Sequence, residues 1–258
     1  MSVDDEPGAA RNVSGDRTRA PGPVPDLRMP ATALTVLFAL AAAVTAASAA
    51  AYANRASVVS DALGMSPEAD LLASNVAVDA DRLTRAYDLV GLGTWAYGVV
   101  GLALGVFFII WQYRHAQNAR LLGSRSALGP GWAIGGWFVP LANFVLPVRQ
   151  LWTASRSSNP DGRGAGIVVA WWVAFVAAIL IDRTAAQLGV DGPRDDPTVR
   201  DLANADWLAA GGEVVFAAAA VLGLIMVRRL TAAQGAALAA TGGAVQPGPP
   251  APPPPPAP

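Results

Sequence analysis

Apolar and charged positions are strongly segregated along this chain. From Ala31 to Ala53 no charged residue occurs. At about 1.5 Å of rise per residue such a run crosses a hydrocarbon core of about 30 Å, which predicts a membrane span at 31–53. Further spans are predicted at 89–111, 165–181 and 208–227, the last one closed by Arg228 and Arg229. The polar stretch 54–88 contains Ser66 followed by Pro67 and Glu68, a helix start built from a capping oxygen, a first-turn proline and an acid at the positive end of the dipole. Leu72, Val76, Leu83, Tyr87 and Val90 then return to one helical face, so that helix is expected to run on into the second span. Asp196 before Pro197 repeats the device ahead of the fourth span.

The flanks read differently. Residues 1–30 interleave acids, arginines and prolines and cannot bury enough apolar surface to fold alone, so a disordered tail is expected there. Residues 236–258 form a proline-rich tail expected to be extended and solvated. The AASAAAYA run from Ala46 to Ala53 offers small residues of the kind signal peptidase cuts, although the apolar run and its polar leader are longer than a signal peptide's.

Residues 130–152, PGWAIGGWFVPLANFVLPVRQLW, are apolar but broken by Pro140 and Pro147 and punctuated by Asn143 and Arg149. Charge decides how they run. If they crossed the membrane, Arg156 and Arg163 would share a side with Arg228 and Arg229 outside, and the aspartates of 182–206 would face the cytoplasm, against the positive-inside bias. If they do not cross, 112–164 and both termini are cytoplasmic and both acidic loops are external. The second arrangement satisfies every loop. The segment is therefore expected to be re-entrant or interfacial, with 130–144 packed among the spans. From Pro147 an in-plane helix is expected, with Val148, Leu151 and Trp152 on one face and Arg149, Thr153 and Arg156 on the other. The fold class is thus all-α: a polytopic membrane protein with four transmembrane helices and a Trp/Pro-rich segment between the second and third, the membrane domain covering 31–235. Similar text after the second and fourth spans, Ala116 to Leu121 and Ala233 to Leu238, fits a duplicated helical hairpin.

Composition agrees with a bilayer as solvent, with 53% hydrophobic and 14% charged residues. The absence of cysteine removes disulfides and thiolate chemistry, and a single histidine leaves no ordinary zinc ligand set, so no cofactor or metal is expected. No basic stripe with interleaved aromatics supports nucleic-acid binding. No nucleophile and base, paired carboxylates or phosphate loop marks an enzyme. Membrane lipids are the implied partners, with a protein at the cytoplasmic face as a further one; nothing marks an oligomeric state.

The words WQYRHAQNARLLG, PGWAIGGWFVPLANFVLP and RQLWTAS resemble the signature of domain of unknown function 4328, a family of mainly actinobacterial multi-pass proteins. The residues that carry the likeness are Trp111, Arg114, Asn118, Gly123, Pro130, Gly131, Trp132, Gly136, Trp137, Phe138, Pro140, Asn143, Pro147 and Trp152, over roughly 89–235. The resemblance implies a membrane fold and carries no activity. Gly136 stands where the family commonly has a tryptophan, which is expected to loosen packing beside Trp137.

Candidate chemistry is sparse. Asn143 is read either as a ligand contact or as a cap for backbone freed by Pro140 or Pro147. Trp132, Trp137 and Trp152 are expected at headgroup level or around a groove for a lipid or peptide. Arg114, Arg120, Arg149 and Arg156 would orient the protein and attract anionic headgroups. Glu213, about one turn into the fourth span, is an intramembrane acid and so a functional candidate. His115 is expected at the surface, and Gly101 and Gly105 are expected to let another helix approach. The leading function is a non-enzymatic scaffold or interaction protein of the inner membrane, ahead of a small transporter or channel subunit lined by Asn143 and Glu213, and of a lipid-modifying enzyme. Because the chain lacks cysteine, single cysteines report topology cleanly. With a membrane-impermeant maleimide on intact cells, Asp70→Cys should react and Ser157→Cys should react only after permeabilisation; labelling of 157 from outside would overturn the arrangement.

Overall fold

The computed structural model describes residues 24–65, 80–124, 128–158, 164–189 and 199–244. Each apolar run lies within a helix longer than itself: α1 (Arg28–Met65), α2 (Ala80–Leu121), α5 (Ala165–Gly189) and α6 (Val199–Ala244). Between α2 and α5 come a one-turn helix α3 (Trp132–Gly135), a 3-10 turn at Ala142–Phe144 and α4 (Leu146–Ser158). All four long helices are long and apolar enough to cross a membrane, and no strand occurs among the described residues. The chain is a multi-pass membrane protein in architecture. The expected helix starts at Ser66 and Asp196 lie outside the described residues, as do 1–23 and 245–258. Val24 to Met29, assigned to a disordered tail, is instead seated on the bundle, with Leu27 in its core.

The helices stand in the order α2, α1, α6, α5. From Leu27, just before α1, through Ala31, Leu34, Phe38, Thr45, Ser48 and Ala56, buried positions one or two helical turns apart make a stripe turned to the neighbouring helices. Residues Ala219, Gly223, Met226 and Leu230 form the matching stripe on α6. Small residues set how closely these helices approach, because in lipid van der Waals packing rather than water exclusion drives helix association. A Cβ on Gly223 would stand 2.5 Å from the Phe38 ring, one on Gly93 would stand 2.6 Å from Ser48 Oγ, and one on Gly212 would stand 3.0 Å from Ile181. The expected small-residue contact at Gly101 and Gly105 is absent: an added Cβ would meet nothing within 4 Å.

Contacts fix the directions. Phe38 meets Phe108 and Ser48 lies against Gly93, so α1 and α2 are antiparallel. Trp111 bonds Thr231 and Tyr97 meets Phe216, so α2 and α6 are parallel. Phe175 meets Phe216 and Ala205 lies against Gly189, which makes α5 antiparallel to α6. The chain thus leaves α2 and enters α5 at the same end of the bundle, and 112–164 does not traverse it. Among the described residues that end carries Arg28, Arg114, Arg120, Arg149, Arg156, Arg228 and Arg229 with Asp26, whereas at the other Asp61, Asp81, Asp88, Asp182, Asp201 and Asp206 outnumber Arg55, Arg82, Arg85, Arg183 and Arg200.

At the acidic end Arg55 of α1 grips Asp206 of α6 with two hydrogen bonds, Nε to Oδ2 at 2.8 Å and Nη2 to Oδ1 at 2.6 Å. Both side chains are largely buried, so this pair is well shielded. Its guanidinium also lies 4.7 Å from the Tyr87 ring centroid. Tyr87 is exposed, and the buried face of this part of α2 is Ala86 and Val90, which corrects the expected stripe through Tyr87.

The two hairpins α1–α2 and α5–α6 run alike, as a duplication would have them, but their surroundings differ. The counterpart of the extensive α1–α6 contact would be one between α2 and α5. Among the described residues the backbones of these two helices stay apart. Instead a cleft of about 450 Å³ separates them, and the outer face of α2 is bare: Trp95 is 79% exposed and Leu102 73%. Such a continuous apolar surface would be untenable in water and is ordinary against lipid. Replacing Gly223 with Val should cost about 1–3 kcal/mol by overpacking against Phe38, whereas Gly101→Val should be close to neutral. Unfolding midpoints of the purified protein in one detergent compare the two.

Candidate functional site

Phe108, Trp111, Gln112, His115, Asn118 and Ala119 recur at helical spacing and are all buried, so the last three turns of α2 turn one continuous face inward. The Trp111 ring lies 5.7 Å from Phe108 and edge-on to His115 at 5.1 Å, while its Nε1 donates to Thr231 Oγ1 at 3.0 Å. His115 is not at the surface: it is 0% exposed. Gln234 of α6 donates from Nε2 both to His115 Nδ1 and to the His115 carbonyl, each at 3.0 Å. This pairing assigns the imidazole proton to Nε2, for which the described residues supply no acceptor. Asn118 donates to the Pro25 carbonyl at 3.0 Å and Arg114 to the Asp26 carbonyl at 2.9 Å, which ties the leader to α2.

Gln112 fastens the central segment to the bundle. Its Nε2 donates to the Pro147 carbonyl at 2.9 Å and its Oε1 accepts from Trp137 Nε1 at 3.0 Å. From the other side Gln150 of α4 donates to the Gly129 carbonyl at 3.0 Å. Pro147 sits in the first turn of α4, where its missing N–H leaves no intrahelical bond unmade. Pro130 opens α3 with its carbonyl, which accepts from Ala133 N at 2.9 Å. Trp137, expected at headgroup level, turns inward against Phe108 and Trp172 at 5.9 and 6.1 Å. Gly136 tightens rather than loosens this corner: a Cβ there would lie 2.7 Å from the Trp132 carbonyl oxygen and 3.2 Å from Leu146.

Of the remaining signature residues, Gly123, Gly131, Trp132, Phe138, Pro140 and Trp152 are exposed and Asn143 is half-buried. Most of the turn that follows Pro140 is exposed as well. Within residues 130–144, Ala133, Gly136, Trp137 and the side-chain oxygen of Asn143 turn in toward the helices, and most of the other positions are exposed at this end of the bundle. At the tip, Leu141 has φ 62° and ψ −40°, with Ala142 N bonded to the Pro140 carbonyl at 2.7 Å. This is a γ-turn of the uncommon hand, which costs a residue with a side chain about 1–3 kcal/mol. Leu141 is 85% exposed, and Phe138, Phe144 and Val145 beside it are exposed as well. Asn143 gives its backbone N–H to Val139, while its side-chain oxygen is buried without a partner among the described residues.

On α4, Pro147, Gln150, Leu151, Ala154 and Ser155 are buried, and Arg149, Trp152 and Arg156 point away. Trp152 belongs to the arginine face, not to the apolar one as its spacing suggested, and is 37% exposed with the Arg156 guanidinium 5.0 Å from its ring centroid. Arg156 at four residues from Trp152 stacks on the indole, which lets a large ring remain on the polar side.

Glu213 stands apart from all of these. Its neighbours are Tyr52, Tyr97 and Asp182 toward the acidic end, and its Oε2 is buried without a partner among the described residues. Between it and Asn143 lies a layer of rings, in which Phe108 meets Phe38, Trp111, Trp137 and Trp171 at 5.2–6.3 Å. The structure does not bring the two candidates together.

A family model described as Domain of unknown function (DUF4328) matches residues 74–232, more than half of the chain. The chain belongs to the DUF4328 family. No curated protein and no solved structure matches it. In this DUF4328 member the matched region holds α2, the central segment, α5 and most of α6, whereas α1, which fills the bundle between α2 and α6, precedes it. The residues that sequence reading missed are Gln112, His115, Gln150 and Gln234, the buried amides and imidazole of the junction. Replacing Gln234 with Leu should cost about 1–3 kcal/mol by leaving buried His115 without its donor. The double change His115→Leu/Gln234→Leu should cost less than the sum of the singles, as a double-mutant cycle on unfolding midpoints will read.

Proposed function

We propose that this DUF4328 protein is a non-enzymatic scaffold of the inner (plasma) membrane, with both termini and the central segment in the cytoplasm, which holds a protein partner at the membrane surface. The observation that carries this reading is the mounting of the central segment. Gln112 pins it to α2 through Trp137 and the Pro147 carbonyl, and Gln150 ties α4 back to Gly129 at its start, all with hydrogen bonds at 2.9–3.0 Å, while Arg149, Trp152 and Arg156 are held outward on its far side. Buried amides are costly to place in an apolar bundle unless paired, and here their pairing fixes the position of an exposed cationic and aromatic face. Arginine and tryptophan are the residue types that anchor interfaces most strongly. The arginines gathered at this end support a cytoplasmic orientation through the positive-inside bias.

A transport path is disfavoured by the same geometry. The cleft between α2 and α5 has an almost wholly apolar lining, and neither Asn143 nor Glu213 contributes to it. A photo-reactive amino acid at Thr153, flanked by the exposed face, should give a discrete crosslinked partner in native membranes. The double variant Arg149→Glu/Arg156→Glu should lose that product at equal expression, whereas Asn143→Leu and Glu213→Gln should retain it. Solute flux into proteoliposomes that either of the latter two abolishes would favour the transporter instead.

A further inference from the structure

The wide backbone separation of α2 and α5, bridged at one end by the Phe108 and Trp171 rings, leaves a cleft whose form specifies an occupant. Its back wall is made by α1 and α6 through Ala41, Val44, Ala219 and Ala220, and its sides by α2 and by Trp171 and Phe175 of α5. Gly98, Gly101 and Gly105 hollow the α2 wall, since none has a neighbour within 4 Å of where a Cβ would be. Rings close both ends. Toward the acidic end Tyr97, Phe216 and Phe175 bridge from α2 through α6 to α5 with centroids 5.6 and 6.2 Å apart. Toward the arginine-rich end Phe108 meets Trp171 at 5.2 Å, and Trp137 and Phe138 of the central segment form a roof. The lining residues Leu102 and Phe138 are also exposed on the outer surface, so the cleft opens sideways, toward lipid.

Length separates the occupants. From Tyr97 to Phe108 the cleft runs about 16 Å along α2 at about 1.5 Å per residue. That is roughly half of a hydrocarbon core of about 30 Å, the depth of a single leaflet. A helix from a second copy would need a groove open over a greater length, and here the Tyr97, Phe216 and Phe175 rings close it. A volume of about 450 Å³ with this lining suits one flexible hydrocarbon chain. We propose that the α2–α5 cleft is a binding site for one acyl chain of a glycerophospholipid from the leaflet on the arginine-rich side, which takes the place of close backbone packing between the two helices. Recognition is by the chain, so the headgroup is secondary.

The test uses the full-length protein in proteoliposomes with phosphatidylglycerol or phosphatidylcholine bearing a diazirine midway along one acyl chain. Both analogues should label peptides from 98–109 and 171–175. Filling the cleft with Gly101→Leu/Gly105→Leu, whose Cβ atoms would meet nothing within 4 Å, should lower that labelling about tenfold, equivalent to one decade of affinity. In detergent, added phospholipid should raise the unfolding midpoint of the delipidated wild type and leave that of the filled variant unmoved, which also shows that the variant folds. Equal labelling of wild type and filled variant would overturn the proposal, as would labelling by the anionic analogue alone. So would an efficient Leu102→Cys disulfide between two copies that the filled variant abolishes, because a second helix would then occupy the cleft.

Discussion

A glutamine side chain at the end of a membrane helix holds this molecule's distinctive part in place. Gln112 both donates and accepts, taking the Trp137 indole N–H and giving its own amide hydrogen to the Pro147 carbonyl. Each of those groups would otherwise be stranded where water is scarce, and a stranded polar group in such surroundings costs as much as several good packing contacts provide. Because one amide satisfies both, the turn around Trp137 and the start of α4 are positioned together. The outward display of Arg149, Trp152 and Arg156 follows from that positioning, as does the roof that Trp137 and Phe138 place over the α2–α5 cleft.

The second constraint is the distribution of small side chains. Where α1 meets α6, alanines and Gly223 let backbones approach until Phe38 touches the opposite helix. Where α2 could meet α5, the glycines of α2 have nothing to receive, and bulky rings stand on the α5 side. A pseudo-symmetric pair of hairpins therefore gives one tight interface and one open one, and the asymmetry lies in residue size.

Much of the architecture was legible in the sequence, because span length and loop charge are one-dimensional properties. An uncharged run of sufficient length must form its hydrogen bonds internally as helix, and the arginine bias correctly selected the arrangement in which 112–164 stays at one end. The site was less legible for a physical reason. His115, Gln112 and Asn118 lie among Arg114 and Arg120 in text that looks like a cytoplasmic loop, and nothing local states that α2 continues for another three turns beneath a cap. Their shared helical face was a usable signal, since Trp111, His115 and Asn118 fall on it with Phe108. Gln234, by contrast, could be paired with His115 only through tertiary structure. Trp152 went to the wrong side because spacing weighs an indole as apolar, whereas stacking with Arg156 gives it a place on the polar face. Glu213 and Asn143 were grouped by chemistry and are separated by the aromatic layer.

The tip at Leu141 has a mechanical meaning. Its left-handed backbone is locked between Pro140, whose ring fixes one side, and the 3-10 turn that begins at the next residue. A loop so constrained is a blunt wedge, not a loose finger. Because Gln112 holds Trp137 before the tip and Pro147 after it, the exposed Leu141 and Phe144 share a fixed base with α4, and a load on either side chain is a load on that helix.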